Sequence, residues 1–198
     1  GCELPLPSDV DWQRVFEEAV SHSVHLLVYD CLTEQERAAI PKETAVPWRQ
    51  EVLSAMWYNE QLLGEQQTVL KALSAVPCVI LKGSSSAACY PRPELRCAGD
   101  IDLLLFPADV KKAEAILCAR GYCPPEDNHP FHRSMHREQF LVELHFEPPG
   151  IPSGDSGAPL REYFRYAAGE GVLRGGLPVL PPERQAVLLL LHKLEHIT

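Results

Sequence analysis

The stretch from Val79 to Phe106, VILKGSSSAACYPRPELRCAGDIDLLLF, decides how the whole chain is read. An apolar run ends at Lys82, where Gly83 and three serines follow, and Asp100-Ile101-Asp102 opens a second apolar run. This pattern predicts two strands around a Gly/Ser turn. Side chains alternate along a strand, so Asp100 and Asp102 share one face while Ile101, Leu103 and Leu105 share the other. Two carboxylates that close repel each other unless a cation lies between them. A ligand set made only of oxygens suits a hard divalent ion such as Mg²⁺. Backbone N–H groups of a Gly-rich turn, with a helix start behind it, can face an anion. These are the parts of a metal–phosphate site. The same residues also fit plainer roles: Ser84 to Ser86 as helix N-caps, Lys82 as a charged strand end, and the two acids as a polar strand start.

The pattern Gly83-Ser84, a spacer of 15 residues and Asp100-Ile101-Asp102 resembles the DNA polymerase β-type nucleotidyltransferase superfamily. The fuller context, Leu81-Lys82-Gly83, then Arg96 and Gly99-Asp-Ile-Asp-Leu-Leu-Leu, resembles an uncharacterised bacterial nucleotidyltransferase family within it. The spacer is longer than the general superfamily pattern, which leaves the helix after the Gly-Ser turn undefined.

The resemblance implies an α+β fold: a small mixed sheet with flanking helices, an N-terminal helical region and a C-terminal helical extension. The corresponding division is residues 1–76, 77–147 and 148–198. It also implies a third carboxylate on a later strand. Glu143 in Val142-Glu-Leu-His-Phe146 meets that requirement and would act with Asp100 and Asp102 in holding Mg²⁺ or Mn²⁺. Lys82, Gly83, Ser84 and Arg96 become the nucleotide-binding set. Ser84 would meet triphosphate oxygens, and the Arg96 guanidinium offers a bidentate phosphate contact. His145 is expected beside the site, where it orients a phosphate or Glu143, or simply packs. His132 is expected at the mouth, facing substrate. The implied reaction moves a nucleoside monophosphate from an NTP such as ATP to an acceptor.

Net charge is −9, from 18 Lys+Arg against 27 Asp+Glu. A long nucleic acid is gripped by a basic excess or a basic stripe. A small-molecule or protein acceptor is therefore expected, with Arg92, Arg96, Lys111 and Lys112 leaving room only for a local basic patch. Seven cysteines without a C-x-x-C pair fit reduced thiols and a cytoplasmic setting. The longest apolar run, Ala186 to Leu191, is too short to span a bilayer, and no signal peptide is visible. Gly1 fits a tag remnant, and the helical pattern running to the end without a stop signal fits a fragment.

Along the chain, Ser8 to Asp11 reads as a capping box before a helix, with a second helix from about His22 to Leu32. Pro41 and Pro47 mark a loop before a long helix from Trp48 to about Leu73. Its stripe of Val52, Leu53, Met56, Trp57, Leu63, Leu70 and Leu73 is expected in the core. Pro107 starts a helix that Gly121 ends. Residues 124–137 read as a polar loop, Gln139 to Phe146 as a strand, 147–159 as a linker, 172–180 as a hairpin and the segment after Pro181 as a helix. His129, His132 and His136 in the polar loop allow a zinc-binding scaffold as an alternative function. A catalytically silent nucleotide-binding or sensor module is the other alternative.

Overall fold

The computed structural model describes Pro7, residues 9–124 and residues 129–195. Ser8 of the expected capping box, Cys2, the 125–128 part of the expected loop and His196 lie outside the described residues. The chain forms two compact units. One takes in the described residues up to Glu60 together with Glu94–Cys97; the other takes in Gln61–Pro93 and the chain from Ala98 onward.

The first unit is helical. Helix α1 (Trp12–Ser21) is capped by Asp11, whose side chain accepts from the Arg14 N–H at 3.1 Å. Helix α2 (His25–Cys31) and helix α3 (Glu34–Ala39) follow. Helix α3 lies outside the expected helices, although Thr33-Glu-Gln-Glu36 is a capping-box signature. Thr33 Oγ1 accepts from the Glu36 N–H, and the Glu36 carboxylate accepts from the Thr33 N–H. Helix α4 (Lys42–Ala72), whose residues from Gln61 on belong to the second unit, begins earlier than expected and contains Pro47. The proline is exposed and forfeits one helical donor in the second turn. Trp48 is fully buried, donates from Nε1 to the His25 carbonyl at 3.2 Å, and has the rings of Phe16 and Tyr29 against it.

The second unit carries a six-stranded mixed sheet of order β3-β4-β2-β1-β6-β5, so the α+β class is as the sequence predicts. Its strands are β1 (Cys78–Ile80), β2 (Ile101–Leu105), β3 (His132–Arg137), β4 (Phe140–His145), β5 (Val172–Arg174) and β6 (Leu177–Val179). Strand β1 is antiparallel to β2 and parallel to β6, while β2 is parallel to β4. The expected hairpin at 172–180 is β5–β6, and it extends the same sheet. Every residue of β2 is buried. On the face that carries Asp102, Leu104 joins Val79, Leu81, Phe164, Leu180 and Leu188 in one apolar cluster. Helices α5 (Ser84–Ala87), α6 (Val110–Cys118), α7 (Ala158–Phe164) and α8 (Pro182–Glu195) complete the unit.

Two expectations are corrected. The polar segment after residue 128 is not all loop: His132–Arg137 is β3, the edge strand, joined to β4 through Glu138, which has a φ of 54°. An edge strand can be polar, and here Met135 is its buried anchor. The stripe assigned to the core of α4 is largely outside, with Leu53 at 68% and Trp57 at 58% exposure and Met56 and Leu63 also exposed. The buried residues are Thr44, Ala45, Trp48, Asn59, Leu62, Glu65, Gln66 and Val69, with Leu73 just past the helix end. Four polar residues among them, Thr44, Asn59, Glu65 and Gln66, disguised that face.

This assignment is testable by urea denaturation. Leu62→Ala should cost about 2–5 kcal/mol, the usual range for a buried leucine. Leu53→Ala should stay within about 0.5 kcal/mol, as an exposed position does.

Candidate metal and nucleotide site

The site is built where β2 begins, beside β4. The parallel register sets Asp102 directly opposite Glu143 and Leu104 opposite His145. Asp100, one residue before β2, completes a group of three carboxylates whose ligand atoms all lie within 4.8 Å of one another. Strand β3, antiparallel to β4, sets His132 opposite His145 on the same face.

Asp102 is the most enclosed member, at 2% exposure. Its Oδ1 accepts from His145 Nε2 at 2.9 Å and lies 3.2 Å from Lys82 Nζ. Its Oδ2 is buried with no hydrogen-bond partner. Burial alone would push this carboxyl up, but the His145 hydrogen bond and the Lys82 charge hold it below the usual carboxylate range. Glu143 accepts from His145 Nε2 at 3.1 Å; that bond keeps it low, against burial and the charge of Asp102. His145 itself is held protonated above the usual histidine range: burial opposes the charge, and the hydrogen bonds to Asp102 and Glu143 outweigh it. Asp100 has no such compensation. Burial, then the charge of Asp102, push it up to about 6, and Lys82 offsets this only in part.

The donor set fits a hard divalent ion. It is all oxygen, partly buried, and one of its carboxylate oxygens is orphaned. Asp100, Asp102 and Glu143 could hold such an ion.

The turn after β1 stands next to this group. Gly83 has φ 62° and ψ −115°, a backbone conformation that side chains with a Cβ rarely adopt, and it caps the four-residue helix α5. Among the expected phosphate ligands, Ser84 donates its hydroxyl to Gln66 Oε1 at 2.8 Å, which ties the turn to α4. Ser85 donates to the carbonyls of Leu81 and Lys82, an internal brace. Arg96 belongs to the helical unit, where Asn59 Nδ2 donates to the Glu94 and Arg96 carbonyls at 3.1 Å each.

Of the three histidines considered for zinc, only His132 joins a possible ligand group among the described residues, and it does so with Glu143 and His145. His129 stacks on the His132 ring at 3.8 Å, while His136 pairs with Leu141 further along the hairpin and is exposed. The loop triad is therefore not assembled, because β3 carries His136 two pleats away from His132. Gln66 was missed from sequence. Its signal was a polar residue at a helical interval between the buried positions Leu62 and Val69.

The chain belongs to a family described as uncharacterised nucleotidyltransferases, whose model matches residues 8–198. No curated protein and no solved structure matches it. Among the described residues, no helix is long and apolar enough to cross a membrane.

The raised Asp100 carboxyl has a thermodynamic consequence. Folding favours its protonated form, so its contribution to stability is fullest below the unfolded value, near pH 4, and is lost as pH rises through about 6. In metal-free buffer at pH 7.5, Asp100→Asn should therefore stabilise the protein. The gain should be on the order of 1 kcal/mol after allowance for solvent screening. It should shrink toward zero at pH 4, as thermal melts across that range would show. A second variant, Gly83→Ala, should cost about 1–3 kcal/mol because its backbone conformation penalises a Cβ; chemical denaturation measures it.

Proposed function

We propose that this chain is a Mg²⁺-dependent nucleotidyltransferase that moves a nucleoside monophosphate from an NTP to a small-molecule or protein acceptor. The observation that carries the reading is the register of β2 and β4, which sets Asp102 opposite Glu143 with Asp100 alongside. Family membership supplies the reaction class.

In this reading the acceptor hydroxyl loses its proton to solvent, and its oxygen forms a bond to the α-phosphorus as the bond from that phosphorus to the pyrophosphate oxygen breaks. Pyrophosphate leaves with the electron pair. Asp100 and Asp102 would hold a divalent ion, which would supply charge neutralisation on the phosphates and lower the pKa of the attacking hydroxyl. Glu143, kept ionised by His145, serves the side of the attacking oxygen. Lys82, 3.2 Å from Asp102, fixes that carboxylate and stands beside the Gly83 turn that would receive the phosphates. His132 is the residue proposed to face the acceptor. Positioning and charge stabilisation then account for the acceleration. The overall acidic charge supports a small or protein acceptor over a long nucleic acid.

The test is a screen of labelled NTPs with Mg²⁺ or Mn²⁺, read as pyrophosphate release and label transfer. Asp100→Asn together with Asp102→Asn should lower turnover by more than about a hundredfold while the circular dichroism spectrum stays unchanged. Undiminished metal-dependent turnover in that folded double variant would refute the assignment. Binding of Mg²⁺–NTP without any pyrophosphate release would point to the silent nucleotide-binding module.

A further inference from the structure

The carboxylate triad is only one of two ligand groups at this place. His132 and His145 are direct partners across the β3–β4 hairpin, with ring centroids 5.0 Å apart. Glu143 lies between them: its Oε1 is 3.7 Å from His132 Nε2 and its Oε2 is 3.1 Å from His145 Nε2. All the ligand atoms of His132, Glu143 and His145 lie within 4.8 Å of one another. Neither imidazole is a surface group, since the side chains are 15% and 3% exposed. His129 stacks over His132 at 3.8 Å and restrains the outer ring.

We infer that His132, Glu143 and His145 form a second metal site, selective for an ion of the zinc class and distinct in chemistry from the all-oxygen set. Two imidazoles and one carboxylate are the donors such ions prefer, whereas Mg²⁺ favours oxygen alone. Three protein ligands leave a coordination position for solvent or substrate. His145 Nε2 stands 2.9 Å from Asp102 Oδ1 and 3.1 Å from Glu143 Oε2, so an acidic environment already surrounds this ligand nitrogen. Glu143 belongs to both ligand groups, so this single side chain can bridge unlike ions. The inference rests on donor type and spacing, and it holds whatever acceptor the protein uses.

The experiment uses the full chain without an affinity tag, Zn²⁺ as the only probe and no nucleotide. Equilibrium dialysis should give one tightly held Zn²⁺ per chain, and X-ray absorption should show two imidazoles in its shell. His132→Ala should weaken Zn²⁺ binding by about tenfold or more, while His136→Ala, on the same strand but outside the group, should leave it unchanged. The wild-type absorption spectrum needs no variant, so poor folding of His132→Ala would not remove the test. A shell of oxygens only, equal loss in both variants, or no stoichiometric Zn²⁺ would overturn the inference.

Discussion

The arrangement of side chains where β1, β2 and β4 meet turns on how the buried carboxylate of Asp102 is compensated. An ionised acid that is 2% exposed costs several kcal/mol unless it is paired and hydrogen-bonded. Lys82 and His145 supply that pairing, both at Oδ1. Each comes from a different neighbour of β2: Lys82 from just past β1, His145 from the end of β4. Strand pairing and charge pairing therefore enforce one another. A slip of β4 by one residue would turn Glu143 and His145 to the opposite face and leave Asp102 with Lys82 alone. The central strand can be apolar on both faces and still carry an acid, because its two neighbours are fixed in register by the acid's own needs.

Much of this was legible in the sequence, for particular reasons. Strands β1, β2 and β4 each announce themselves by alternation or by a short apolar run between turn residues, and the acids stand at predictable positions within them. Glu143 could be set beside the two aspartates because the family resemblance calls for a third acid on a later strand and Glu143 interrupts an apolar one. Strand β3 was illegible because an edge strand needs no apolar face beyond Met135, so its histidines and arginines read as loop. That misreading also hid the pairing of His132 with His145, which depends on hairpin register and on no local pattern. Helix α4 misled in the opposite way. Its outward side carries Leu53, Met56, Trp57 and Leu63, so an apolar stripe marked the wrong face.

The inward face of α4 shows why polar residues were placed where a core would be expected. Gln66 receives the Ser84 hydroxyl, and Glu65 receives both the Tyr122 hydroxyl and the Arg137 guanidinium. In the helical unit, Asn59 holds the carbonyls of Glu94 and Arg96. Gln66 and Glu65 tie the start of α5, the segment after α6 and the end of β3 to the helix, while Asn59 satisfies two backbone carbonyls. A loop backbone must find partners once it is buried, and a helix can offer side chains at fixed spacing for this purpose. The apolar area given up on that face is exchanged for definition of the Gly83 turn and of the segment around Arg96.

The balance of charge at the site then limits how a nucleotide can arrive. Three carboxylates stand against one lysine and one histidine held in its protonated form, so the residues alone leave a net negative charge. Asp100 is the acid pushed upward, first by burial and then by the Asp102 charge, while the His145 hydrogen bonds help to hold Asp102 and Glu143 low. A triphosphate approaching such a group without a cation meets repulsion in a partly desolvated setting, where charge interactions are strong. Lys82 cannot reverse this, because it is already engaged with Asp102. In the proposed function, nucleotide and divalent cation would therefore bind as linked partners, each raising the affinity for the other, with protonation of Asp100 opposing the cation.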